Sequence, residues 1–162
     1  MVLEAQRRLA FSFEAMLAYH GGGSPAGVAH AFKVMERAFA LLGAQGLLQR
    51  RELEIVTAFR GPGARDAFEL VTRARSDERL RYDDALARPE RGLALERFTF
   101  RIGYRGEVVE LQARSGFVPE EMIALARTDP LTEAQQARLA ELKARTADLV
   151  MASAAESVYE LL

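Results

Sequence analysis

The chain has no cysteine, which excludes disulfide cross-links, cysteine-zinc sites and thiol catalysis outright. Tryptophan and asparagine are absent too, and the only histidines are His20 and His30. The metal and acid–base chemistry open to this sequence is therefore narrow before any motif is considered. Arginine outnumbers lysine about tenfold, with only Lys33 and Lys143 as lysines. With the missing, thermolabile asparagine, that bias points to a GC-rich and thermophilic source, although genome composition alone accounts for it equally well. A net charge of −1 gives no electrostatic reason to expect nucleic acid or an anionic membrane as partner. No run of about 18 apolar residues occurs, and the N-terminus lacks a charged–apolar–small signal pattern, so a cytoplasmic protein is expected.

What remains is an ordinary globular composition, 49% hydrophobic and 28% charged over 162 residues. This is enough for one domain, residues 1–162, with a substantial core. Leu9, Phe13, Met16 and Leu17 recur at helical spacing within 3–19, which predicts an amphipathic helix stopped by Gly21, Gly22 and Gly23. A second helix starts with Ser24 as N-cap and Pro25 at its first position, and Gly43 closes it. Its inward stripe is Val28, Phe32, Met35, Phe39 and Leu42. Ala26, His30, Lys33 and Arg37 fall on the opposite side, where a basic face is expected to be solvated.

Glu52–Phe59 reads as a strand, followed by the loop Arg60-Gly61-Pro62-Gly63 and a helix from about Ala64 to Arg73. Residues 78–82 suggest a short strand. Phe98, Phe100 and Ile102 alternate with polar residues before the turn Tyr104-Arg105-Gly106-Glu107 and a return strand, a hairpin pattern. A short helix is expected over Val118–Arg127. Thr132 with Gln135 makes a capping box for a long last helix, whose seam is Leu139, Leu142, Thr146 and Leu149. A terminal strand is expected over Ser157–Leu162. The order α-α-β-α-β-β-β-α-α-β, with a contiguous hairpin and no regular βαβ alternation, predicts an α+β fold with a largely antiparallel sheet rather than a Rossmann fold.

Four stretches carry a resemblance: AYHGGGSPAGVAHAFKVMERAF (18–39), GARDAFELVT (63–72), RFTFRIGYRGEVVEL (97–111) and the closing helix and tail (131–162). In order and spacing they resemble, over nearly the whole chain, the FmdE/FwdE-like family, named for a component of formylmethanofuran dehydrogenase. The resemblance implies an antiparallel sheet flanked by helices and a homodimer. It further implies a pocket where the first helix junction meets the strand-to-helix loop, lined in the family by histidine and cysteine suited to a transition metal. Carried over residue by residue, His20 takes the place of the motif's first histidine and Gly22 that of the second. Ser24 and Gly63 stand where cysteines are expected, Ala74 near a further one, and Asp66 is retained. The additional zinc-binding tail of some members is absent. Hydroxyl, methyl and hydrogen cannot replace thiolates as soft ligands, so no cofactor is expected, and His20 is the first ligand to consider should a metal bind.

The candidate pocket is thus His20, Gly22, Ser24, Arg60, Gly63 and Asp66. His20 reads as a helix-end cap, as a pocket residue, or in third place as a metal ligand with Asp66. Gly21–Ser24 could form an anion nest, but without Gly-Lys-Ser/Thr it is no P-loop, and a tight turn explains it equally. Ser24 four residues after His20 has no nucleophile-elbow context and is explained as an N-cap. Arg60 could fork a carboxylate or phosphate, and Asp66 suits the first turn of a helix. The sequence leads to a binding or interaction module, taking a small or anionic ligand, with a degenerate metal site. The alternatives are an enzyme or accessory subunit of one-carbon or molybdenum/tungsten metabolism, with His20 as acid–base and Asp66 as its partner, and a purely structural dimer built on the Leu142 seam.

Overall fold

The computed structural model describes residues 1–162. Its chain opens not with a helix but with an antiparallel hairpin, Val2–Glu4 (β1) and Arg7–Leu9 (β2). The expectation of a helix over 3–19 is corrected accordingly. The Leu3 amide donates to Leu48 O at 2.8 Å, and this tertiary pairing holds residues 2–9 out of the helix, while Phe13, Met16 and Leu17 keep their helical spacing. The helix α1 is Phe13–His20, started by Ser12, whose Oγ accepts from the Ala15 amide at 3.1 Å. Gly21 ends it at φ +85 in the left-handed region, where a side chain is disfavoured.

Helix α2, Pro25–Leu42, runs through the middle of the molecule. One side of it meets the sheet, and the other helices cover most of the rest, so no solvated basic face exists. His30 is fully buried, Lys33 is 6% exposed with its ammonium on Glu36 at 2.8 Å, and Arg37 is half-buried. The small residues Ala26, Gly27, Ala31 and Ala38 on its flanks let these neighbours approach. Phe32 and Phe39, expected inside, are only half-buried.

The main sheet comprises Leu53–Thr57 (β3), Leu80–Tyr82 (β4), Thr99–Tyr104 (β5), Glu107–Ala113 (β6) and Tyr159–Leu161 (β7). Its strand order is β4–β3–β5–β6–β7. Only β3 and β4 are parallel. Leu53, Ile55 and Thr57 face the helices and Glu54 and Val56 face away, the period of two expected for a half-covered sheet. Helix α3 is Pro62–Thr72, α4 is Glu120–Ala126 and α5 is Glu133–Ala152, the last opened by the capping box of Thr132 and Gln135.

α5 buries Leu139, Leu142, Thr146, Ala147 and Val150, whereas Leu149 is 48% exposed. The seam thus passes to Val150, one position on. A single helical turn, Ala155–Val158 (α6), shortens the expected terminal strand to β7. The class is α+β with a mostly antiparallel sheet, and one continuous core reaches from Val2 to Tyr159. No helix is long and apolar enough to cross a membrane.

Candidate functional site

The first turns of α2 and α3 lie against one another, and glycine makes the contact possible. A Cβ on Gly63 would stand 2.4 Å from Ser24 O and 3.0 Å from Val28 N; one on Gly27 would stand 3.2 Å from Ala64 N. Both helices place proline at their first position, Pro25 and Pro62, and neither has a side-chain cap. Ser24 occupies the N-cap position but its hydroxyl makes no capping bond, which corrects the expectation that capping explains it. The amides of Ala26, Gly27, Gly63 and Ala64 belong to buried residues and find no acceptor within the protein. They are first-turn amides, which have no acceptor within their own helix.

Beside this contact a cavity of about 270 Å³ opens between the two helix starts, the chain just after β3 and just before β5, α4 and α5. Its floor is aromatic. Phe59 and Phe98 are stacked at 4.4 Å between ring centres, and His30 meets Phe98 edge-on at 5.0 Å. Met122, Ile123 and Leu139 form the facing wall. Lys143 borders it from α5, its ammonium donating to Gly23 O at 3.2 Å.

His30 is held by both ring nitrogens. The Tyr159 hydroxyl lies 2.8 Å from Nδ1, and Nε2 lies 3.1 Å from the Phe117 carbonyl. A carbonyl only accepts, so Nε2 carries the proton and donates, while Nδ1 accepts from Tyr159. Burial lowers the His30 pKa to about 4, only partly opposed by the Phe117 carbonyl, and burial also raises that of Tyr159. The ring is neutral at neutral pH and brings no charge to the cavity floor.

His20 and Asp66 meet a short distance away, joining the end of α1 to α3. His20 Nδ1 donates to Asp66 Oδ2 at 2.8 Å, and Arg65 Nε donates to Asp66 Oδ1 at 2.8 Å. Burial alone would raise the Asp66 pKa, but the Arg65 guanidinium and the His20 ring outweigh it, and the net shift is downward. The six residues singled out from the sequence therefore divide. Ser24 and Gly63 border the cavity, and His20 and Asp66 form a pair that does not line it. Arg60 turns outward, donating to Asp84 at 3.2 Å and lying over the Tyr82 ring at 5.0 Å. Gly22 is an exposed turn residue at φ +84 with open space around it.

The donor set does not fit the transition metal that the resemblance implies. His20 and Asp66 have no third histidine, aspartate or glutamate beside them, and both Asp66 oxygens are engaged. Gly63 could not take a thiol in this conformation, because the first atom of the side chain would meet Ser24 O.

Sequence reasoning missed Phe59, His30, Phe98 and Lys143 as cavity residues. Phe59 and Phe98 read as ordinary strand hydrophobics, and Lys143 lies 120 residues from its partner Gly23. The one available signal was the alanine- and glycine-rich face of α2 beside a lone histidine. A second cavity, about 290 Å³, lies below Ala44–Leu48. At its rim Arg105 binds Glu52 and lies over Tyr104, and Glu107 also lines it. Neither a family model nor a curated protein matches this chain.

Proposed function

We propose that the chain is a small-molecule-binding module, a divergent and cysteine-less relative of the FmdE/FwdE-like family in which metal chemistry has given way to binding. The observation that carries this reading is the apolar cavity bordered by Ser24 and Gly63, where the resemblance places the family's pocket. The α+β fold is compatible with it, and a floor of neutral aromatic rings suits an uncharged ligand body. A homodimer comes with the same resemblance, and a cytoplasmic location rests on the lack of a signal pattern and of a long apolar run. For the dimer, half-exposed Leu149, Leu161 and Leu162 offer apolar surface.

Thermal unfolding with benzyl alcohol as a neutral probe tests the reading. Binding to the native state raises the melting temperature with probe concentration, and Ile123→Trp, which fills the cavity wall, removes the rise. A stoichiometric transition metal in untagged protein, lost on His20→Ala, would overturn it.

The His20–Asp66 pair supports the alternative of an enzyme or accessory subunit. Asp66 fixes the orientation of the imidazole through Nδ1 and leaves Nε2 for acid–base work. In that case His20→Ala and Asp66→Ala abolish turnover while leaving probe binding in the cavity intact.

A further inference from the structure

We infer that the ligand taken by the α2–α3 cavity is a small carboxylate, its apolar body on the His30–Phe59–Phe98 floor and its anionic end held by Lys143. The inference rests on the reading of this cavity as a binding site.

Charge at the cavity is one-sided. Of the residues that line it, Lys143 alone carries a charge, and no aspartate or glutamate borders it. The ammonium has no carboxylate partner anywhere in the protein; its one bond is to Gly23 O. The other lysine, Lys33, is paired with Glu36 at 2.8 Å. A lysine donates three hydrogen bonds, so two N–H groups of Lys143 remain for a ligand at the cavity mouth. His30 does not compete, because both its nitrogens are already bonded.

Size and lining narrow the class. At about 270 Å³ the space lies just under the roughly 300 Å³ at which cavities begin to hold drug-sized ligands. An aromatic or branched-chain acid fits, and a nucleotide does not. A phosphate monoester is disfavoured for a second reason. Its two charges would face one ammonium and no arginine fork, and desolvating an ion beside an apolar floor is costly unless it is fully paired. One carboxylate against one ammonium balances.

Calorimetric titration of the full chain with benzoate, its neutral analogue benzamide and phenyl phosphate tests this. Benzoate is expected to bind about tenfold more tightly than benzamide, the effect of one charge-assisted hydrogen bond. Lys143→Gln, which removes the charge at the cavity border, should abolish the preference for benzoate over benzamide. Ile123→Trp should weaken both. Equal affinity for benzoate and benzamide would overturn the carboxylate assignment and leave the cavity reading standing. So would a preference for phenyl phosphate, or a benzoate preference that survives Lys143→Gln. If none of the three binds, or if binding is unaffected by Ile123→Trp, the assignment and the cavity reading fall together.

Discussion

His30 is a buried base that the folded protein keeps neutral, and acid should unfold the protein partly through this one ring. In the unfolded chain a histidine titrates near 6.5, while in the fold burial holds His30 at about 4. Above pH 6.5 both states are neutral there and His30 contributes no pH dependence. Between 6.5 and 4 the unfolded state takes up the proton and the folded state does not, so stability falls with falling pH. At about 1.4 kcal/mol per unit, the loss approaches about 3 kcal/mol by pH 4. That is a large fraction of the stability of a typical domain. The assay is urea unfolding at half-unit steps from pH 7.5 to 4, comparing the protein with His30→Gln, which cannot titrate. The absolute midpoint of the variant drops because the contacts with Tyr159 and Phe117 change, but the comparison lies in the slopes. Wild type should lose about 3 kcal/mol more than the variant across the window. Parallel curves would show that His30 is accessible to protons in the folded state and would refute the reasoning.

Gly63→Ala should destabilise the protein by about 1–3 kcal/mol through overpacking of Ser24, with Gly63→Cys at least as costly; either variant matching wild type in thermal unfolding would contradict the closeness of α2 and α3. Arg50, 9% exposed, donates to Val71 O at 2.9 Å, Leu70 O at 2.6 Å and Glu4 at 3.0 Å. Arg50→Ala removes these bonds to the Leu70 and Val71 carbonyls near the end of α3 and should lower stability by about 2–3 kcal/mol in denaturant titration. A double-mutant cycle over His20→Ala and Asp66→Ala should give a coupling of about 1–2 kcal/mol at pH 7, and zero coupling would mean the pair holds nothing together. Leu142→Asp places a charge in the chain's own core, where Leu142 is 7% exposed; circular dichroism should show unfolding rather than a folded monomer released from a dimer.

Elements with strong local punctuation were legible in the sequence. Pro25 and Gly43 bracket α2, Thr132 and Gln135 open α5, and alternating apolar residues mark the β5–β6 hairpin, because in each case the deciding interaction lies within a few residues. The β1–β2 hairpin was not legible. Its strands are three residues long and are held by the Leu48 carbonyl, far along the chain. The same distinction applies to the site. Ser24, Gly63, His20 and Asp66 were singled out by their places in the resemblance, which lies in short local stretches of sequence. The cavity itself required Lys143 and Phe98 to arrive from remote elements. The burial of His30 could not be read from its helix stripe, since periodicity separates the two sides of a helix but does not say whether both are covered.

Tyr159 bears on the order in which the protein is made. Its hydroxyl satisfies His30 across 129 residues of chain, and its strand pairs with β6 at one edge of the sheet, after the other four strands have been synthesised. While the nascent chain emerges, α2 can find α3 and the β5–β6 hairpin, but His30 Nδ1 has no donor and β6 has an open edge. Contacts of such long separation are slow to close, and an unpaired strand edge is open to the wrong partner. The sheet is therefore closed on this side only when β7 arrives, and until then the edge of β6 needs shielding from neighbouring chains.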